Sequence, residues 1–297
     1  MLARCLESLA RGASRCATDV LVVDNGSADG SAGMVREHFP AVRLVANASN
    51  VGFARAVNQL WPYARGRYWL LLNPDTETKP GAIDTLVALM DSQPQAGLAT
   101  AKLLNADGSP QFCAQARPSP GRVLLEASRL HKLLPLGVRG HLLLSSYWTY
   151  EETRPVGWTW GTALIARRAA VEAVGLLDER LFMYGEDLDW CLRMQKAGWT
   201  VWFCAEAEVV HHGRGSARLR WDRRSLEHRL WATYYQVVAW HEGSFFTRRL
   251  QLATLLALML DWASALLRGT TRPILGESIH THWRLLLRDL GAGVDSA

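Results

Sequence analysis

A chain of 297 residues holds either one large α/β domain with an appendage or two small domains. Its 49% hydrophobic and 21% charged residues allow a packed core and exclude global disorder. A net charge of +5 suits anionic partners (nucleotide phosphates, lipid phosphates or nucleic acid) without choosing among them.

The chain opens MLARCLESLARG, which has no long apolar run, so no signal peptide is expected. Val20–Val23 then reads as a buried strand that stops at Asp24-Asn25-Gly26-Ser27. A helix is predicted over Ser31–His38, a strand over Val42–Val45, a helix over Phe53–Trp61, and a strand over Tyr68–Leu72 that ends at Asn73-Pro74-Asp75. A helix over Gly81–Met90 and a strand over Gly97–Leu104 follow. This rhythm predicts a mostly parallel sheet covered by helices. Residues 113–153 are interrupted by Pro118, Pro120 and Pro135 and read as a long connection over the active face. Trp158–Arg167 reads as a strand, Gly185–Lys196 as a helix, and Val201–Cys204 and Val209–His212 as two strand-like pieces. Cys5, Cys16, Cys113, Cys191 and Cys204 form no CxxC pair and are read as free thiols in a reducing compartment.

The C-terminal part has a different character. Arg214, Arg218, Arg220, Arg223, Arg224 and Arg229 face only Asp222 and Glu227 in charge. Leu250–Leu267 is apolar except for Gln251, Thr254, Asp261 and Ser264, which fall loosely on one helical side. That pattern favours an amphipathic helix over a spanning one, because Asp261 in mid-bilayer costs a few kcal/mol. Two readings stay open: a basic, amphipathic region lying on an anionic membrane surface, or a helical hairpin packed on the catalytic domain.

Four elements carry chemistry. In open α/β sheets ligands sit beyond the carboxyl ends of strands, and two acidic turns stand there, at Asp24 and at Asp75. A carboxylate at such a place can accept from a nucleobase N–H or hold a metal, although Asp-Asn-Gly is also an ordinary turn sequence. The third element, Leu181–Tyr184 followed by Gly185-Glu186-Asp187-Leu188-Asp189, puts three carboxylates at the start of a helix. A first helical turn favours acids in any case, but an aromatic run leading into them also desolvates them, as suits a general base. His211-His212 closes a strand-like run, as a metal ligand or as a polar edge. Trp148, Trp158 and Trp160 read equally as sugar-stacking faces and as core residues.

Together these segments resemble the family 2 glycosyltransferases, especially the rhamnosyltransferase-like and galactofuranosyltransferase-like branch. The matching stretches are VVDNGSADGS (22–31), NVGFARAVNQ (50–59), RYWLLLNPDT (67–76), the run from Gly161 to Trp199, and AEVVHHGRGS (207–216). The resemblance implies a GT-A fold, Rossmann-like, over residues 1–216 and a helical C-terminal extension over 217–297. It implies that Asp24, with Asn25, Gly26 and Ser27, meets the nucleobase, and that Asn50, Gly52, Phe53 and Asn58 line the nucleotide pocket. Asn73 and Asp75 match the family's DxD position, with Asn in place of the first Asp, so that Asp75 is the main ligand for Mg²⁺ or Mn²⁺. His211 or His212 approaches that metal or the diphosphate. Gly161 and Thr162 lie near donor sugar and acceptor, and in the acidic pair Glu186-Asp187 the base is Asp187.

The activity implied is inverting transfer of a sugar from a nucleotide-diphosphate donor, with dTDP-rhamnose suggested by the branch. The acceptor is a glycan or a polyprenyl-linked sugar in bacterial surface polysaccharide synthesis, on the cytoplasmic side, with contact to the inner membrane surface. One departure matters: the family begins with a strand before the helix resembling LARCLESLARG, and here Met1 lies inside that helix. That motivates an alternative, a degenerate, non-catalytic nucleotide-sugar-binding protein. The arginine cluster brings no nucleic-acid-binding motif with it, and no nucleic-acid partner is expected.

Overall fold

The computed structural model describes residues 1–12, 15–213, 222–270 and 273–291, which fall into two units. One is Met1–Ala116 with Thr149–Arg214, the other Arg117–Trp148 with Gly215–Ala297. The boundary drawn from sequence at 216/217 therefore leaves out one feature: the Pro-interrupted stretch Arg117–Trp148 groups with the C-terminal helices. Arg214, Arg218 and Arg220 of the basic stretch lie outside the described residues.

The first unit opens with α1 (Leu2–Arg11), β1 (Leu21–Asp24), α2 (Ser31–His38), β2 (Arg43–Ala46) and α3 (Phe53–Asn58). Next come β3 (Tyr68–Leu72), β4 (Thr76–Thr78), α4 (Ala82–Ser92), β5 (Ala96–Leu104) and β6 (Ala114–Gln115). The second unit contributes α5 (Pro120–Ala127) and α6 (Leu136–Leu143). The first resumes with β7 (Arg154–Pro155), β8 (Trp158–Thr159), β9 (Ala163–Arg167), α7 (Arg168–Val174), α8 (Glu186–Lys196) and β10 (Thr200–His211). The predicted helix over 53–61 stops at Asn58 and gives way to a 3₁₀ turn at Trp61–Tyr63, where Pro62 cannot continue an α-helix.

Strands β1 and β2 pair in parallel, Asp24 opposite Ala46, with α2 as the crossover. The main sheet has six strands in the order β3-β9-β5-β10-β4, with β7 also on β10. It is mixed rather than mostly parallel: β5–β10 is parallel, whereas β9 runs against both β3 and β5, and β4 and β7 run against β10. Parallel neighbours need a crossover connection. The short β4 and β7 arrive without one, and β9 enters reversed after the long excursion through 105–162.

Burial explains why these segments became strands. All nine residues of β5, AGLATAKLL, are buried, as expected of a strand covered on both faces. The two pieces predicted at 201–204 and 209–212 are the ends of one strand, β10, whose register to β5 slips between Cys204 and Glu208. The AEA between them is that bulge. Among the described residues, which include all five cysteines, no disulfide forms.

In the second unit, α9 (Arg223–Glu242) packs on both α10 (Ser244–Leu267) and α11 (Pro273–Gly291), and α10 packs on α5 and on α11. Asp222 caps α9, its carboxylate accepting from the N–H groups of Arg224 and Ser225 at 3.0 Å. A buried bond of 2.9 Å between the Tyr235 hydroxyl and His282 Nδ1 ties α9 to α11, and burial pushes the His282 imidazole down to about 4.

Of the three carboxylates at the start of α8, Asp189 is structural. Its side chain is 4% exposed and takes a 2.8 Å bond from Arg193, which also donates to the carbonyls of Val174 and Leu176. The Trp190 indole N–H donates to Gly175 at 3.0 Å. This clamp sets the direction in which α8 presents its N-terminus. Replacing Asp189 with Ala is expected to cost about 3 kcal/mol, because it strips one partner from a largely buried ion pair. The urea-unfolding midpoint checks this, and an unchanged midpoint would refute the clamp.

Candidate active site

The turn after β1 is built on Asn25. Its Oδ1 accepts from Asn47 Nδ2 (3.2 Å) and from the Val51 N–H (3.0 Å), and its Nδ2 donates to Asn50 Oδ1 and the Gly52 carbonyl, both at 3.1 Å. Asn50 Oδ1 in turn accepts the Gly52 N–H at 3.0 Å. The strand-end turn and the 47–52 loop are thus one hydrogen-bonded body. Gly26 has φ +78° and a side chain there would meet the Ser49 backbone at 2.8 Å, so the two segments touch because this residue is glycine. Asp24, 9% exposed, accepts from the Ser27 N–H at 3.3 Å. Phe53 donates its N–H to the Phe182 carbonyl at 2.7 Å, which brings the 181–185 run against this body. Asn58 is engaged elsewhere: its amide exchanges bonds with Leu177 and donates to Glu179 at 3.1 Å.

The second turn, Asn73-Pro74-Asp75, lies between β3 and β4, where β4 pairs with the end of β10 and sets His211 opposite Thr76. Asp75 Oδ1 stands 3.5 Å from His211 Nε2, both side chains 15% exposed. Burial raises the Asp75 pKa, but the hydrogen bond and charge that His211 offers when it carries a proton on Nε2 outweigh it and hold the carboxyl below its usual value. His212 turns away and meets Glu77 Oε1 at 2.8 Å, while its N–H donates to the Asp75 carbonyl. Of the two histidines it is therefore His211 that faces Asp75.

A residue that the sequence reading missed orients it. Gln111 donates its amide nitrogen to Asn105 Oδ1 (2.9 Å) and to the His211 carbonyl (2.8 Å), so its Oε1 is left to face His211 Nδ1 at 2.7 Å. An oxygen there calls for a proton on Nδ1. In the neutral ring Nε2 then carries the lone pair, directed at a carboxylate. Two acceptors 3.5 Å apart repel unless a cation or proton lies between them. Neighbouring ligands on a hexacoordinate Mg²⁺ or Mn²⁺ sit about 3 Å apart, so Asp75 and His211 fit two positions on such an ion. Among the described residues no group of three or more His, Cys, Asp or Glu could hold a metal alone. The remaining positions would fall to ligand oxygens and water. Turn chemistry is visible in NADGSPQ at 105–111, but the pairing of Gln111 with a histidine 100 residues away is not.

The third part is the start of α8. Gly185 (φ +82°) is its N-cap, and Tyr184 also sits at positive φ (+71°), an uncommon conformation for a large side chain. Asp187, half-buried, accepts from the Gly161 N–H at 3.2 Å and from the Leu188 N–H at 2.8 Å. Thr162, next along, accepts the Asn73 N–H at 2.9 Å. One dipeptide therefore holds both the metal-competent turn and the acidic pair. It is the break between β8 and β9, where the sequence predicted a continuous strand.

Glu186 and Asp187 differ in environment. Burial, with the Asp187 charge added, pushes the Glu186 carboxyl up to about 8, and its Oε2 is buried without a hydrogen-bond partner. Near neutral pH it is a protonated acid. Burial raises Asp187 as well, opposed by the N–H groups of Leu188 and Gly161, which favour its ionised form. Asp187 is the carboxylate of the pair, able to take a proton. Between its unfolded value and about 8, Glu186 binds more protons folded than unfolded, so stability falls as pH rises through that window. Glu186→Gln should remove this slope. Tm measured from pH 5 to 8 is expected to fall more steeply in the wild type than in the variant, and parallel curves would refute the assignment.

Comparison with known proteins agrees with this architecture. The profile of Glycosyl transferase family 2 matches residues 1–124. The N-acetylglucosaminyl-diphospho-decaprenol L-rhamnosyltransferase of Mycobacterium tuberculosis is 36% identical over 230 residues, 71% of either chain. The low-salt glycan biosynthesis hexosyltransferase Agl10 of Haloferax volcanii is 25% identical over 143 residues, 48% of this chain and 41% of that one. Among solved structures, the mannosyltransferase PcManGT from Pyrobaculum calidifontis, in complex with GDP-Man and Mn²⁺, superposes with a TM-score of 0.59 at 15% identity. That match covers 100% of this chain and 84% of the other. GalNAc-T7 with UDP, GalNAc and Mn²⁺ gives 0.50 at 15% identity over 74% of this chain and 41% of that one. Strand-end turns, mixed sheet and sequence relationship converge: the chain belongs to glycosyltransferase family 2 and has the GT-A fold.

Proposed function

We propose that the chain transfers a sugar, with inversion, from a nucleotide-diphosphate donor to a polyprenyl-linked or glycan acceptor at the inner membrane surface, in bacterial surface polysaccharide synthesis. The relationship to a decaprenol-dependent rhamnosyltransferase makes dTDP-rhamnose the first donor to test and a lipid-diphosphate-linked sugar the first acceptor. The observation that carries the reading is the pair of bonds on Gly161-Thr162, which fixes Asp187 and the Asn73–Asp75 turn to one short segment.

Asp24 and the Asn25-centred body offer the nucleobase a carboxylate and a ring of oriented amides. Asp75 and His211 would hold a divalent ion, supported by the Mn²⁺ found with the two structural neighbours. When bound, that ion supplies Lewis-acid neutralisation of the departing diphosphate. Asp187 takes the proton of the acceptor hydroxyl as the oxygen attacks the anomeric carbon opposite the leaving group. A single displacement inverts that carbon and leaves no sugar on the protein. The protonated Glu186 beside Asp187 adds no second negative charge to the path of the nucleophile.

Release of nucleotide from dTDP-, UDP- and GDP-sugars, followed with Mn²⁺, Mg²⁺ or EDTA, tests this directly. Asp187→Ala is expected to lower turnover by about 10²–10⁴ with KM for the donor little changed, as for loss of a general base. Asp75→Ala should abolish the metal dependence. Nucleotide binding without metal-dependent release in any arm would leave a non-catalytic binder instead. A second measurement isolates the ion site: Gln111→Leu, which lets the His211 ring turn, should weaken Mn²⁺ binding in the presence of nucleoside diphosphate by about 10-fold or more. Unchanged Mn²⁺ affinity by calorimetry would remove His211 from the ligand set.

A further inference from the structure

Helix α10 (Ser244–Leu267) is apolar on its outer side as well as its inner one. A surface helix of a water-soluble protein turns its apolar stripe inward and its polar residues to water. Here Phe245, Leu252, Leu256, Met259, Leu260 and Leu267 recur at three-, four- and seven-residue steps on one side, and they are 75, 54, 48, 54, 45 and 90% exposed. The inner side takes polar residues too: Gln251 is fully buried among Leu250, Ala253 and Leu255, and Thr254, half-buried, bonds back to the Leu250 carbonyl at 2.9 Å, while Asp261 stays exposed, 3.9 Å from Arg129. The helix is about 36 Å long at 1.5 Å per residue, and its exposed stripe runs from end to end with Arg249 as the one charge on it.

A second apolar segment of the same unit adjoins it. Arg129, which also reaches Ser264, heads the run Leu130–Arg139, in which Leu130, Leu133, Leu136 and Val138 are 56, 81, 74 and 50% exposed. Such a run of exposed large aliphatics exceeds the scattered apolar residues normal on a protein surface. Lys132, Arg249 and Arg268 are exposed beside these segments, and the exposed carboxylate of Asp261 lies 3.9 Å from the Arg129 guanidinium, so the border carries a net positive charge. A wide apolar face with a cationic border is complementary to a layer of acyl chains under anionic headgroups. Although α10 is long and apolar enough to cross a bilayer, its inner side is committed to α5 and α11, so it lies in the interface rather than spanning it.

We propose that the outward stripe of α10 and the 130–138 run form the face by which this chain enters an anionic lipid surface, the stripe parallel to the membrane plane. The proposal deepens the functional reading above, since it rests on an acceptor that is carried in a membrane, and it supplies the surface that would bring the enzyme to it.

Flotation of the full chain with vesicles of phosphatidylcholine containing phosphatidylglycerol, and with pure phosphatidylcholine, tests it without any sugar nucleotide. Wild type is expected to float with the anionic vesicles and to be released in part by high salt. Leu252→Glu/Leu256→Glu/Met259→Glu should bind about 10-fold or more weakly, since it puts three charges on the inserting face. Leu133→Glu/Leu136→Glu, in a run already open to water and so without a folding penalty, should do the same. Both variants should still release nucleotide from a soluble donor at the wild-type rate, so failure of the docking face and failure of the active-site reading are told apart. Amide exchange on the wild type is expected to slow at 130–138 when anionic vesicles are added. Flotation equal in wild type and both variants, or no flotation of wild type, would overturn the proposal. So would a dimer in sedimentation equilibrium that the stripe variant dissociates, which would give this face to a second copy of the chain.

Discussion

Two backbone bonds hold the candidate site together: the Gly161 N–H to Asp187, and the Asn73 N–H to the Thr162 carbonyl. The acidic pair comes from a helix start and the metal-competent turn from a strand end more than 110 residues earlier in the chain. Nothing local fixes their separation. The strand break between β8 and β9 does, because its two residues turn a donor to one side and an acceptor to the other. The clamp of Asp189 and Arg193 behind α8 and the glycine contact at Gly26 then serve a common end, keeping the pieces that meet this dipeptide from drifting. A catalytic geometry tolerates errors of well under an ångström, and short hydrogen-bonded links between rigid elements are the means of meeting that tolerance.

The electrostatics of the acidic pair follow from the same placement. Two carboxyls adjacent on a buried helix start cannot both ionise cheaply. The one that receives N–H groups, Asp187, keeps the charge; the one whose Oε2 has no partner, Glu186, keeps the proton. At the other end, a proton on His211 Nε2, or a cation between the two side chains, keeps Asp75 an anion despite its burial. The site therefore carries one anion at the start of α8 and one at the strand-end turn.

Much of this was legible in the sequence. Strand-end acids, helix positions and the order of motifs follow from residue patterns with a period of two or of three to four, and Ser31–His38 and Tyr68–Leu72 fall where periodicity put them. What escaped were features that depend on partners distant in the chain. The direction of β9 and β4, and hence the mixed sheet, is set by how the chain returns, which no local pattern encodes. The bulge in β10 looked like an interruption because the Ala and Glu residues at 205–208 have low strand propensity. Gln111 carries no motif; its role exists only because β10 delivers His211 beside it. The orientation of α10 was half legible: four polar residues loosely on one side marked an amphipathic helix, but composition alone could not say that Gln251 is buried while Leu252, Leu256 and Met259 face outward.

The grouping of Arg117–Trp148 with the C-terminal helices has a consequence for vectorial synthesis. The six-stranded sheet can close once β10 has left the ribosome, yet α5 lacks its main packing partner until α10 is translated. At usual elongation rates that interval lasts on the order of ten seconds. During it, the side of α5 that α10 will cover stands open, beside the aliphatic side chains of 130–138, which stay exposed in the finished fold. An apolar surface presented that long, and before the chain is released, is available to be met by a membrane or a chaperone while translation is still under way.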